Sequence, residues 1–209
     1  DELVLCANVD APPVLGPSRH DVRVATGSVA ELGGGKFQNV NLLLADQTPA
    51  DWTLVVDDDV VLPTGFIDGL VALTEALSLD LAQPAQTLAS HAAWRSARRA
   101  PFAVARQTNF VEIGPVTAFS RRAAAELMPF PGLRMGWGLD LHWAALAHER
   151  GWKLGVIDAL PVRHETRTVG GGYSSAHATS EAQEFLASRP YLDASQAGHT
   201  LTTYRRVPR

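Results

Sequence analysis

Three consecutive carboxylates, Asp57, Asp58 and Asp59, stand directly after the apolar run Leu54-Val55-Val56. Side chains alternate along an extended chain, so Asp57 and Asp59 are expected on one side and Asp58 on the other. Anions this close repel one another, and the crowding is costly unless a cation or hydrogen-bond donors offset it. Hard divalent ions such as Mg²⁺ and Mn²⁺ favour carboxylate oxygen, which makes a metal seat the chemical reading of the run. A solvated turn is the other reading, because aspartate bonds its own backbone in turns and caps. The position at the end of a buried strand favours the metal. Elsewhere, Arg95, Arg98, Arg99 and Arg106 gather in one segment that could meet an anion, and Gly33-Gly34-Gly35 forms a turn whose backbone could approach phosphate.

The elements that position these residues follow from hydrophobic spacing. Residues 2–9 (ELVLCANV) and 52–57 (WTLVVD) read as buried strands, the first closed by Asp10-Ala11-Pro12-Pro13. Shorter strands are expected at 22–25, 79–82, 110–113, 116–119 and 153–158. A helix is expected over 37–46, with Val40, Leu43 and Leu44 on one face. Another, over 65–79, repeats Phe66, Leu70, Leu73 and Leu77 at helical spacing and takes Thr64 as its cap. Ser120 caps a short helix that Pro129 and Pro131 end, and a glycine-rich turn at 135–138 leads into a helix over 139–150 closed by Gly151. The stretch 83–108 reads as a long loop. From Gly170 the composition shifts to glycine, serine and threonine, with one helix over 181–187 opened by a Ser180–Gln183 capping pair. Strands alternating with helices imply an α/β domain with a mainly parallel sheet, in which ligands bind beyond the carboxyl ends of the strands. We place that domain at 1–172 and a flexible C-terminal lid or appendage at 173–209.

Composition narrows the partners. With 209 residues, 46% hydrophobic and 19% charged, the chain can bury the core of one globular unit. A net charge of -4 without a long basic run argues against nucleic acid. The single cysteine, Cys6, excludes an internal disulfide, lies in an apolar run and fits a reducing compartment. No run of about 18 apolar residues is present and no leader is visible, so no membrane span and a cytoplasmic location are expected. The first residue is Asp1 and a strand follows at once, so a further strand is expected upstream. A homo-oligomer is compatible with these residues.

The segment WTLVVDDDVVLPTGF resembles the Asp-x-Asp region of GT-A glycosyltransferases of the family 2 type, in which an apolar strand ends in acids that engage a metal and a sugar nucleotide. Two further pieces follow in the family's order: MGWGLDLHW, a glycine- and tryptophan-rich turn with an acid, and GVIDALPVRHE, a histidine after a strand. QPA at 83–85 and NFVEIGPVTAFSRRA also look like the middle of such proteins, and the resemblance spans roughly Glu2 to Gly172. It implies a GT-A, Rossmann-like domain that moves a sugar from a nucleoside-diphosphate sugar to a saccharide or other hydroxyl acceptor. A UDP-sugar is favoured and a GDP-sugar is the alternative.

The same resemblance implies roles. Asp59 would ligate a divalent Mn²⁺ or Mg²⁺ ion, Asp57 would sit on the ribose or on the metal, Asp58 beside the donor, and His164 would complete the protein ligands. Asp140 falls where an inverting enzyme keeps its acceptor base, although Leu139 stands where the family commonly has glutamate. Asp10 would border the nucleobase, Lys36 and Asn39 the nucleotide, and Trp137 could stack on a sugar. Glu112 lies where it could touch donor or acceptor, and Arg167 with Gly170, Gly171 and Gly172 could close over the diphosphate. Two other functions use overlapping residues: a metal-dependent phosphoesterase adding His142, which needs two ions, and a nucleotide-binding module without turnover.

Overall fold

The computed structural model describes residues 1–10, 14–164 and 175–207. Pro12 and Pro13 of the expected strand breaker, and Arg167 and Gly170 to Gly172 of the expected hinge, lie outside the described residues. In chain order the strands and helices are β1 (Glu2–Ala7), β2 (Val22–Gly27), α1 (Val29–Leu32), α2 (Lys36–Leu44), β3 (Trp52–Val56), β4 (Val60–Val61), α3 (Phe66–Ala76) and β5 (Leu81–Gln86). There follow β6 (Ala105–Thr108), β7 (Val116–Ser120), α4 (Arg121–Leu127), α5 (Leu139–Arg150), β8 (Leu154–His164), α6 (Ser175–Leu186) and β9 (Thr200–Tyr204).

One nine-stranded sheet runs in the order β2-β1-β3-β7-β5-β8-β6-β9, with β4 paired to β8. Parallel blocks, β2-β1-β3 and β5-β8, are joined by β7, which is antiparallel to both β3 and β5. The period of two decides what each face buries. Leu3, Leu5 and Val55 turn to a core built with Phe37 and Val40 of α2 and Leu139, Trp143 and Ala147 of α5. Val4, Leu54 and Val56 turn to the opposite core, under Phe66, Ile67, Leu70 and Val71 of α3. The central strands are thus buried on both faces, which is why they read as unbroken apolar runs. In the first core Phe37, Phe119, Phe130 and Trp143 meet ring against ring, with centroids 5.1 to 6.3 Å apart.

Several expected elements change. The stretch 83–108 is not one loop: β5 runs on to Gln86 and β6 forms at Ala105–Thr108. No strand forms at 110–113, because side chains take its backbone groups. Glu112 donates its amide to Gln83 Oε1 (2.6 Å), Thr117 Oγ1 donates to the Glu112 carbonyl (2.9 Å) and Thr108 Oγ1 to the Phe110 carbonyl (2.7 Å). The cap of α3 is Gly65 at φ 69°, not Thr64. Helix α6 spans Ser175–Leu186, so Ser180 lies inside it, and burial of Ala178 accounts for the added turn. Strand β9, unforeseen because it is nearly all polar, pairs with β6. Ser120 caps α4 by accepting from the Ala123 amide, Gly151 closes α5 at φ 65°, and Cys6 is buried, all as expected.

The segment between β5 and β6 is tied down by one buried ion pair. The Arg106 guanidinium donates to both oxygens of Asp158 (2.9 and 3.0 Å) and to the carbonyls of Ser96 (2.9 Å) and Arg98 (2.8 Å). Asp158, fully buried on β8, also accepts the Ala100 amide at 2.7 Å. Two of the four arginines read as an anion-binding cluster are thereby committed to the fold, since Arg98 donates to the Thr87 and Leu88 carbonyls.

Candidate functional site

The acidic run leaves β3 at the carboxyl edge of the sheet, and the chain turns at once into β4. That two-residue strand pairs antiparallel with the end of β8, setting Val60 opposite His164 and Val61 opposite Arg163. The pairing brings Asp59, just before β4, against the histidine: His164 Nε2 lies 2.9 Å from Asp59 Oδ1. Asp57, Asp59 and His164 each turn a ligand atom to a common point, all within 4.8 Å of one another. Among the described residues no other His, Cys, Asp and Glu group meets that condition, and His142 is not part of it; its Nδ1 lies 2.7 Å from the Pro190 carbonyl. Alternation holds at the strand tip, for Asp58 turns elsewhere and accepts the Asp10 amide (2.9 Å), joining the ends of β1 and β3.

His164 is held by a clasp that its sequence neighbours do not announce. Its amide donates to Ser90 Oγ (3.1 Å), whose hydroxyl donates to the Val162 carbonyl (3.2 Å), while the Thr87 amide reaches the same carbonyl (2.9 Å). Burial works against its charged form, but the hydrogen bond and the charge of Asp59 outweigh it and raise its pKa above the usual histidine value. Its Nδ1 is buried with no hydrogen-bond partner among the described residues.

Lys36 opens α2 and reaches back across the sheet edge. Its ammonium is 2.6 Å from Asp57 Oδ1 and donates to the Ile113 carbonyl (3.2 Å). At the start of α5, Asp140 accepts the Leu141 amide (2.9 Å). Desolvation dominates Asp140, overcoming that bond and raising its pKa to about 7. Glu112 is pushed up to about 8, first by burial and then by the Asp140 charge.

The glycine-rich loop and the turn before α5 are packed together. A Cβ on Gly35 would stand 2.1 Å from the Arg134 carbonyl oxygen, and one on Gly136, at φ 82°, would stand 2.2 Å from the Phe37 ring. Asn39 is fully buried and clamps the loop: it accepts the Gly34 amide and donates to the Gly34 carbonyl (both 2.9 Å) and to the side chain of Asn8. Trp137 is half-buried just before Gly138, the residue that caps α5. Gly35→Ala is expected to separate the two loops at a cost of about 1–3 kcal/mol, as overpacking does; equilibrium denaturant unfolding measures it.

Sequence reasoning missed Gln83, Gln86, Ser90 and the backbone of Ile113. The glutamines carry the one usable signal, since both are polar residues in a strand whose every position is buried.

No family model and no curated protein matches the chain. Solved structures do. S. aureus TarS 1-349 in complex with UDP-GlcNAc is similar with a TM-score of 0.58 at 10% identity, over 93% of this chain and 69% of that one. GalNAc-T7 with UDP, GalNAc and Mn²⁺ is similar with a TM-score of 0.51 at 16% identity, over 71% of this chain and 33% of that one. The chain has the GT-A fold. At such identities the likeness carries the GT-A architecture alone, and chemistry has to be argued from the residues at its carboxyl edge. No helix among the described residues is long and apolar enough to cross a membrane.

Proposed function

We propose that the chain is a metal-dependent glycosyltransferase that moves a sugar from a nucleoside-diphosphate sugar to a hydroxyl acceptor. The observation that carries this is the convergence of Asp57, Asp59 and His164, contributed by two distant strand ends, on one point beyond the sheet. Two carboxylates and an imidazole, whose Nε2 faces Asp59, are a donor set for Mn²⁺ or Mg²⁺. Three protein donors leave positions for phosphate oxygens. When bound, the ion supplies Lewis-acid stabilisation of the charge that develops on the departing diphosphate.

The remaining work falls to the chain itself. Lys36 anchors Asp57 and adds a positive charge beside the acids. Asp58 and Asp10, joined at the β1 and β3 ends, border the nucleotide, as does the loop that Asn39 clamps. Trp137 offers an aromatic face to a sugar. Asp140, with a pKa raised to about 7, is poised to take the acceptor proton at neutral pH, which suits an inverting transfer. A UDP-sugar is favoured because the two solved structures named above hold UDP or a UDP-sugar; a GDP-sugar is the alternative. Residues 1–172 carry the catalytic groups, and 173–209 serve as an appendage that docks on them through β9 and Phe185.

Thermal shift with UDP and GDP, with and without Mn²⁺, tests the reading. A ligand at about 100 times its Kd stabilises the folded state by about 2.7 kcal/mol, so a metal-dependent rise in Tm is expected with one nucleotide. Asp59→Ala is expected to weaken that binding by at least about 10-fold, since even residues that merely support a metal ligand are worth 10–100-fold. Binding that ignores both Mn²⁺ and the substitution would sink the assignment.

A further inference from the structure

The two most exposed large apolar side chains among the described residues, Phe102 at 91% and Leu88 at 87%, both stand in the segment between β5 and β6. One exposed apolar residue is ordinary on a protein surface; two in a strongly charged setting are not. Residues 81–111 and 194–207 contain no Asp or Glu and carry six arginines, in a chain whose acids outnumber its Lys and Arg by 22 to 18.

The fold brings these two segments together. Strands β6 and β9 pair with Ala105 opposite Tyr204, and the Val104 amide donates to the Tyr204 carbonyl (2.7 Å). Phe102 stands two residues before Val104, and Arg205 and Arg206 directly follow Tyr204. Arg98 donates to the Leu88 carbonyl (3.0 Å), and the Arg99 amide to the Gln86 carbonyl (3.0 Å). Arg98 and Arg106 are held by hydrogen bonds within the fold, whereas Arg99, Arg205 and Arg206 are exposed. The backbone holds Phe102 outward at φ 61°, in the left-handed region that Gly and Asn adopt easily and a bulky side chain does not. Since the ring is almost wholly in water, no packing within the protein offsets that conformation, and such strain points to a contact made with something else.

The surface also has a place. Strands β8 and β9 are both antiparallel to β6, so β9 ends towards the same carboxyl edge as β8. The Thr87 amide, next to Leu88, donates to the Val162 carbonyl, two residues before His164.

We propose that this surface docks the protein onto an anionic lipid bilayer, with Phe102 and Leu88 entering the boundary between headgroups and acyl chains and Arg99, Arg205 and Arg206 on the lipid phosphates. The exposed apolar side chains decide for a bilayer over a soluble polyanion, which has no apolar layer to receive them. Docking turns the edge that carries the acid and imidazole cluster towards the membrane surface. The inference goes beyond the glycosyltransferase reading and holds whatever reaction the site performs.

Flotation with vesicles of phosphatidylcholine, alone or mixed with phosphatidylglycerol, is the test. Binding is expected to the mixed vesicles only, and it should fall as salt rises, because screening shortens the reach of the arginines. Phe102→Asn should lower it at least about 10-fold, in keeping with the worth of a buried phenylalanine. Its Tm should match or exceed the parent's, as asparagine accepts the left-handed backbone. Arg205→Gln with Arg206→Gln should lower binding about 25-fold, at roughly 5-fold for each cation near an anionic surface. Should Phe102→Asn not fold, Leu88→Ser is the second apolar variant, with a loss in the same direction. No binding to the mixed vesicles at low salt would overturn the proposal, and so would equal binding to both kinds. Dependence on the arginines without dependence on Phe102 or Leu88 would overturn it as well, and competition by polyphosphate would then assign the surface to a soluble polyanion.

Discussion

Asp140→Asn is expected to lower kcat by about 10²–10⁴-fold, the range that a positioned acid-base group contributes, with little change in donor affinity. Asparagine is nearly isosteric and its oxygen can still accept the Leu141 amide, so the helix start should survive. What it cannot do is hold a proton taken from an acceptor. The parent's kcat should rise with pH through about 7, following ionisation of Asp140, and the asparagine variant should have lost that limb. Stability should move the other way. A carboxyl whose folded pKa is raised to about 7 from 3.8 binds its proton more tightly folded than unfolded. The parent therefore loses stability as pH rises from about 4 towards 7, and above that the loss is complete. Asp140→Asn removes this dependence and should be more stable than the parent at pH 8. A variant that is less active and less stable there would show that Asp140 serves the fold instead.

Arg106→Met is expected to cost about 3–5 kcal/mol, because it strands the fully buried Asp158 without its counter-ion. For a chain of this size the fall in Tm would be roughly 6–20 °C. The loss reaches beyond one ion pair, since the Ser96 and Arg98 carbonyls lose their donor as well. The double variant Arg106→Met with Asp158→Leu should recover much of the stability, because replacing a buried pair by apolar side chains is often neutral or better. A double variant no better than the single one would mean that the carbonyl contacts, and not the stranded charge, set the cost. Nucleotide binding in the presence of Mn²⁺ should weaken far less than stability, as neither residue belongs to the acid and imidazole cluster.

The sequence announced the strands that are buried on both faces, because such strands need uninterrupted apolar residues and leave no ambiguity of face. Residues 52–56 are the clear case, and the acids after them could be placed at a sheet edge by alternation alone. Helix ends governed by local hydrogen bonds, Ser120 and Gly151, were legible for the same local reason. What could not be read was anything settled by contacts distant in sequence. β4 is only two residues long and exists because β8 lies beside it, and β9 is a polar run that becomes a strand by pairing with β6. The 110–113 run fails as a strand because Gln83 and Thr117, remote or turned inward, take its amide and carbonyl. In the site, the spacing of the three aspartates was visible, but Ser90 and Gln86 act only through residues 74 and 26 positions away.

The ladder between β4 and β8 fixes more than a distance. β8 is an eleven-residue strand that borders β5 and β6 before its last two residues meet β4, so the imidazole sits at the tip of a rod braced along its length. Adding one residue between Trp152 and Val162 and keeping the far end in register would turn His164 to the opposite face, because strand orientation reverses with every position. Insertions are accordingly expected to be tolerated only in segments outside that rod. Its geometry acts as a ruler, and the spacing between the last turn of α5 and His164 is a quantity that selection can hold constant even where the residues themselves drift.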